Sequence, residues 1–396
     1  MNKNNMLLIL LGMGLLAACS SHDIEDDYDN DDNGNGEPVA PSAFVMGADL
    51  SYVNQILDHG GVYQNDGVET DPYEIFADKG TDVVRFRLFH DPQWITEAYD
   101  DPGKPLYHDL DDVALGIQRA KAQGMQVLLD FHYSDIWADP ASQEVPDAWG
   151  GESFEDVVDS VYNYTYNTLR SLSDQDLLPE MVQVGNETNS GMVHPYGAVY
   201  EDATWQELGE LINSGISAVR DIENESGEEI LVMLHIAQPE NVGYWFDQVT
   251  TEGAVEDFEI VGFSYYTPYS DVPLGEISDY VQTFKNDYNR EVMILETAYP
   301  WTLEGADDYG NIFYTESLVD GFPATQEGQR DFMIELINEV KDGGGSGVFY
   351  WEPAWITSNL KDLWGTGSSW ENNALFDFQG YAHVGFDYMS HDYDND

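Results

Sequence analysis

Glu187 and Glu296 each stand at the end of a short apolar run, Met181–Gly185 and Val292–Leu295, and Asn186 directly precedes the first of them. Runs with so few polar residues read as strands buried on both faces, as in a parallel sheet covered by helices. A carboxylate at the tip of such a strand is costly to bury unless it is paired, protonated or used in chemistry. Two of them facing each other across a mouth suit hydrolysis of a glycosidic bond. One is protonated to assist the departing oxygen, and the other is ionised to attack the anomeric carbon. A separation of about 5–5.5 Å would imply retention through a covalent intermediate. Arg85 or His235 beside one glutamate would hold it ionised, while burial and that ionised neighbour would keep the other protonated near neutral pH. Asn186 is placed to donate to a sugar hydroxyl. Structural ion pairs or helix caps are the alternative reading of the two glutamates.

The elements that must carry these residues can be read from pattern. Eight apolar runs of strand length recur: Phe44–Leu50, Val83–Phe89, Gln126–Phe131, Met181–Gly185, Ile230–Ile236, Ile260–Tyr265, Val292–Leu295 and Gly347–Trp351. Between them the spacing is helical. Leu110, Val113, Ala114 and Ile117 share one face and stop near Gly124, and Met333, Leu336, Ile337 and Val340 repeat the pattern up to Gly343. Eight strands alternating with helices predict an α/β fold, a (β/α)8 TIM barrel over residues 42–396, with a doubly wound sheet as the alternative. Chemistry in such barrels gathers at the C-terminal strand ends. Those ends carry Asp49, Arg85 and Arg87, Asp130 and His132, Asn186 and Glu187, His235, Tyr265 and Tyr266, Glu296, and Trp351 with Glu352. Asp49, His132, His235, Tyr265 and Trp351 are expected to contact the substrate; for His132, a hydrogen-bonded core role is the alternative. No phosphate loop follows a strand, and neither HExxH nor GxSxG occurs. No cofactor is expected for catalysis.

These stretches resemble clan A retaining glycosidases, with Glu after the fourth and seventh strands and Asn before the first Glu. Within the clan they are most similar to family 53, the endo-β-1,4-galactanases. The resemblance is carried by Gly47-Ala48-Asp49, Arg85-Phe86-Arg87, the long run from Asp130 to Pro140, and Val184-Gly185-Asn186-Glu187. It continues through Gly262–Tyr266, Leu295-Glu296-Thr297, Tyr350–Trp355 and Asn373–Asp377. It implies Glu187 as acid/base, Glu296 as nucleophile, Arg85 and Asn186 as their supports, and Trp137 as a sugar-stacking platform. The implied substrate is β-1,4-galactan or type I arabinogalactan. A mannanase or glucanase of the same clan, and a non-catalytic surface glycan-binding lipoprotein, are the alternatives. One departure stands out. The family often has His-Leu-Asp-Asn-Gly after the fifth strand, whereas this chain has His235-Ile236-Ala237-Gln238-Pro239, so Ala237 replaces an Asp.

Composition narrows the partner. The formal charge of −61, from 75 acids against 14 bases, excludes nucleic acid, whose phosphates would be repelled. A neutral polysaccharide is compatible, and 10 Trp with 25 Tyr supply rings suited to sugar faces, although many rings must simply fill the core. At the N-terminus, Lys3 precedes an apolar run from Met6 to Ala18 that is too short to span a bilayer. Residues 1–18 therefore read as a signal peptide. Leu16-Ala17-Ala18-Cys19 resembles a lipoprotein lipobox that would leave Cys19 lipidated, with residues 19–41 as an acidic tether. That tether resembles the surface-export signals of Bacteroidetes lipoproteins and implies a place at the outer face of the outer membrane; a monomer is expected. With Cys19 the only cysteine, no intrachain disulfide can form. Bacterial members of the family carry a calcium ion, for which Glu304, Asn311, Ser369 and Glu371 fall near the matching positions. Solvated loop carboxylates are the alternative there.

Overall fold

The eight apolar runs become eight parallel strands: β1 (Val45–Asp49), β2 (Val83–Leu88), β3 (Gln126–Phe131), β4 (Met181–Val184), β5 (Leu231–Ala237), β6 (Ile260–Ser264), β7 (Glu291–Thr297) and β8 (Gly347–Tyr350). Each pairs with the next, and β8 pairs with β1 to close the barrel. The computed structural model describes residues 43–200 and 203–394. The expected signal peptide, the tether and Cys19 lie outside the described residues.

Helices α1 (Pro72–Lys79), α2 (Leu110–Ala122), α3 (Phe154–Ser173), α4 (Trp205–Ser226), α5 (Pro239–Thr251), α6 (Ile277–Tyr288) and α7 (Gln326–Asp342) each lead into the next strand. After β8, a 3₁₀ turn at Val384–Ser390 takes the place of an eighth helix. Its Phe386 packs on Phe76 of α1 and on Phe376, with ring centroids 5.0 and 5.2 Å apart. Helix starts follow local chemistry. Asp109 accepts from Asp112 N at the head of α2, and Thr204 with Glu207 forms a capping box on α4.

Alternation along the strands divides two apolar sets. Val84, Val127, Val182, Val232, Val261 and Ile294 face the helices, while Val83, Leu128, Met181, Met233, Ile260 and Met293 fill the barrel. Along β7 this alternation breaks. Phe263 pairs with Ile294 but Ser264 pairs with Glu296, and Tyr350 pairs with Thr297, so one extra residue is inserted near Leu295. Leu295 packs with the barrel interior, and Glu296, which strict alternation would turn toward the helices, reaches the mouth instead. Room for Leu295 comes from Gly262 opposite, where an added Cβ would sit 2.2 Å from Leu295 Cδ1.

Gly262→Ala is accordingly expected to destabilise the barrel by about 1–3 kcal/mol through overpacking. Urea unfolding should show this loss, and Gly262→Ala combined with Leu295→Val should recover part of it.

Candidate active site

Arg85 enters the barrel from β2 and is 1% exposed. All five of its N–H groups are used. Nη1 donates to Asp49 Oδ2 (3.0 Å) and Glu296 Oε1 (2.8 Å), Nη2 to Asp130 Oδ2 and Asn186 Oδ1 (both 2.8 Å), and Nε to Gln183 Oε1 (3.3 Å). One guanidinium therefore joins β1, β3, β4, the turn after β4, and β7.

The two glutamates differ in their surroundings. Glu296 has both oxygens bonded, Oε1 by Arg85 and Oε2 by the Tyr266 hydroxyl at 3.0 Å. Burial raises the Glu296 carboxyl to about 7, against the pull of the Arg85 guanidinium. Burial, and then the charge of Glu296, push Glu187 up to about 8, against the single donor Ser264 Oγ, which lies 2.5 Å from Oε1. Glu296 thus gives up its proton first and Glu187 keeps the one they compete for. Burial, followed by the charge of Glu296, lifts the Tyr266 phenol well above its ordinary value, so it remains a donor. Glu187 follows Gly185 and Asn186 off β4 and has φ 43°, a left-handed conformation costly for a residue with a side chain.

A second buried pair, Arg87 with Glu352, stands beside the first. The Arg87 guanidinium carbon lies 4.3 Å from the Tyr52 ring centroid and 4.2 Å from that of Trp137, so it is held between two rings. Above these layers opens a cavity of about 650 Å³. Glu187, Glu296, Asn186, Trp137, Tyr266 and Trp351 line it, with Trp355, Trp364 and Trp370 at the β8 side.

A buried arginine clamping one carboxylate, opposite a second carboxyl that holds its proton, matches the requirements of glycoside hydrolysis. Sequence comparison agrees. The profile of Glycosyl hydrolase family 53 matches residues 45–389. The chain belongs to this family. It is 44% identical over 336 residues to an arabinogalactan endo-beta-1,4-galactanase of Cellvibrio japonicus, covering 84% of this chain and 86% of that one. Among solved structures, the GH53 catalytic domain of Ignisphaera aggregans superposes with TM-score 0.78 at 33% identity, covering 90% of this chain and 98% of that one. A structure from a study of two fungal beta-1,4-galactanases gives TM-score 0.75 at 29% identity over 88% of this chain and all of that one.

In this family 53 barrel, the residues expected at the site sort into two depths. Glu187, Glu296, Asn186, Arg85, His132, Trp137 and Trp351 line the cavity. Asp49 and His235 do not: both are fully buried beneath it, Asp49 bonded to Arg85 and the Ser51 hydroxyl, His235 to Ser264. Their contacts are with other side chains. Tyr265 also departs from expectation. It is buried away from the cavity with its hydroxyl donated to Val272 O, and Tyr266 takes the position at the mouth. His132 serves as scaffold as well as wall, since Nδ1 accepts from Ala138 N and Nε2 meets Asp130 Oδ2 at 3.0 Å. Asn186 spends one N–H on Ala138 O, leaving the other without a protein partner among the described residues. Ala237, where the family often has Asp, does not line the cavity, whereas Gln238 does, with φ 60°. Ser264 lies within the Gly262–Tyr266 stretch, but a lone Ser in an apolar run does not by itself point to a site role; its inward parity with Gly262 is the one local hint.

Replacing Arg85 by Met leaves Asp49, Asp130 and Glu296 buried without their cation. A loss of about 3–5 kcal/mol is expected in urea unfolding. Hydrolytic activity should vanish in any fraction that still folds.

Proposed function

We propose that this chain is an endo-acting hydrolase of β-1,4-galactan and type I arabinogalactan that works by double displacement, with Glu296 as nucleophile and Glu187 as acid/base. The carrying observation is the difference in contacts between the two carboxyls: Glu296, raised by burial to about 7, is clamped by Arg85 and Tyr266, whereas Glu187 has one donor and is raised by burial and by its neighbour to about 8. The substrate follows from the similarity to named galactanases. In the first step a Glu296 oxygen bonds to the anomeric carbon, the glycosidic C–O bond breaks, and the Glu187 proton passes to the departing oxygen. In the second step Glu187 takes a proton from water as its oxygen attacks the same carbon, and the ester to Glu296 breaks. Arg85 and Tyr266 favour the ionised nucleophile that opens the cycle and closes it. Trp137 and Trp351 line the cavity, where rings can stack on sugar; one face of Trp137 is covered by Arg87.

Reducing-end release from β-1,4-galactan, mannan and β-glucan should show activity on galactan alone, abolished by Glu296→Ala. Activity on another glycan would overturn the substrate, and binding without turnover would support a glycan-binding lipoprotein. Because the acid must be protonated and the nucleophile ionised, kcat/KM should have an alkaline limb at the raised Glu187 value, near 8, and an acidic limb at the raised Glu296 value, near 7, both well above ordinary carboxylates. Glu187→Gln should abolish that alkaline limb. Trp137→Ala should weaken galacto-oligosaccharide binding by about 1–3 kcal/mol, measured calorimetrically.

The reading extends to placement and to an ion. The lipobox-like segment ending in Cys19 supports a lipid anchor at the outer face of the outer membrane. In the loops after β7 and β8, Asn311 Oδ1 and Glu371 Oε2 are buried oxygens without a protein partner. Burial pushes Glu371 up to about 7. Orphaned oxygens suit Ca²⁺, which takes oxygen ligands. Among the described residues no three His, Cys, Asp or Glu gather. Such an ion would rest on Glu371 and Asn311, with Glu304 and Ser369 beside them, and would tie the two loops without touching the glutamates. EDTA should therefore lower Tm while calcium restores it; an unchanged melt would remove the ion.

A further inference from the structure

Ser264 Oγ lies between two groups, 2.5 Å from Glu187 Oε1 and 2.9 Å from His235 Nε2. Ser264 and His235 are both fully buried. On the far side of the imidazole, Nδ1 faces Gln183 Nε2 at 3.1 Å, whose two N–H groups are shared with Gly185 O and Asn186 Oδ1 at the same distance, and an acceptor, Asn186 Oδ1, at 2.9 Å, which is itself filled by Arg85 Nη2. Burial, then the charge of Arg85, lowers His235 well below its ordinary value, so the ring is neutral, with one donor and one acceptor nitrogen. The two tautomers have opposite consequences for Glu187.

With the proton on Nε2, the ring donates to Ser264 Oγ, Nδ1 accepts from Gln183, and the hydroxyl is turned to donate to Glu187 Oε1. An oxygen that accepts this bond is the carbonyl oxygen of the protonated carboxyl, so the acidic proton resides on Oε2. No protein group among the described residues bonds Oε2, and Glu187 lines the cavity. With the proton on Nδ1, Ser264 would donate to the ring and accept from Oε1, and the proton would sit on the oxygen tied to protein. Only the first arrangement offers a proton to a leaving group. It also serves the second step, because the same hydroxyl bonds the ionised carboxylate.

We infer that Ser264, aimed by His235 and Gln183, is a positioning residue that confines the catalytic proton of Glu187 to Oε2. This rests on Glu187 being the acid/base. The other groups facing Glu187 are Glu296 from β7, Arg85 from β2, Asp139 from the loop after β3, and Tyr266 after β6. All of them stay in place when Ser264 is changed.

The test compares kcat/KM on β-1,4-galactan with kcat/KM on a dinitrophenyl β-galactobioside, whose leaving group needs no proton. Ser264→Ala should lose about 10- to 100-fold on galactan, part of the roughly 10²–10⁴ that a positioned acid contributes, and little on the activated substrate. Its alkaline limb on galactan should move up by about one pH unit, since a donor to the ionised form is gone. Ser264→Thr, which keeps the hydroxyl, should restore both. Should Ser264→Ala fail to fold, Ser264→Cys, a much weaker donor of similar size, carries the same comparison. Equal losses on the two substrates with an unmoved limb would overturn the inference. Glu187→Gln separates this from the parent reading. If Glu187 is not the acid, that variant keeps galactan activity and the limb. If only the Ser264 role is wrong, Glu187→Gln loses both while Ser264→Ala behaves as wild type in substrate preference.

Discussion

The guanidinium of Arg85 is the interaction on which the site depends. A cation in a barrel interior is tolerable only where its charge is answered and its N–H groups are filled, and here five acceptors from several strands do both. Three of those acceptors are carboxylates that would themselves be intolerable without it. The arrangement is mutually conditional, so β1, β3 and β7 are held in one relative position by chemistry as well as by their ladders. It also decides protonation. Arg85 bonds Glu296 and not Glu187, and that difference in contact holds Glu296 below Glu187 in the order in which the two buried carboxyls keep a proton.

Moving up the barrel, polarity changes in layers. Apolar side chains such as Met181, Met233 and Phe349 close the lower interior. Above them lies the ionic layer of Arg85, Asp49 and Asp130, and beside it Arg87 with Glu352, stacked between Tyr52 and Trp137. The cavity above is lined by several rings, among them Trp137, Tyr266, Trp351 and Trp370. The two buried arginines are paired below the mouth, so an uncharged ligand can enter without displacing their ion pairs, although the chain as a whole is strongly acidic. Rings with polar edges suit hydroxyl-rich ligands, whose C–H faces stack while hydroxyls are bonded at the rim. Trp364, 65% exposed, extends the aromatic wall outward from the better-buried Trp351, Trp355 and Trp370.

Strain is concentrated at the same end. Tyr133, Glu187, Gln238 and Glu352 all have positive φ, and all lie just past the ends of β3, β4, β5 and β8. Each such residue costs of order 1–3 kcal/mol and persists because its surroundings over-determine it. For Glu187 the surroundings are visible: Gln143 Nε2 donates to the carbonyls of Asn186 and Glu187, and Ser264 holds the side chain. The sharp turn lets β4 end and still direct a carboxyl across the mouth toward β7.

Much of this was legible before any coordinates. Eight apolar runs with helical spacing between them specify a barrel, because buried parallel strands need helices on their outer face and each crossover needs about this much chain. Polar residues at the ends of such strands, Asn186-Glu187 and Glu296 above all, mark the working end, since an otherwise apolar strand gives them no other reason to be there. Depth and facing were decided only by the tertiary structure. Alternation tells which residues share a face, yet it would turn Glu296 outward; the extra residue on β7 and the room left by Gly262 turn it in. Asp49 and His235 share the parity of mouth residues but lie one layer down, and Tyr266 rather than Tyr265 reaches the cavity. These outcomes depend on register between neighbouring strands, which is set by hydrogen bonds and packing between segments far apart in the chain, and no local pattern records them.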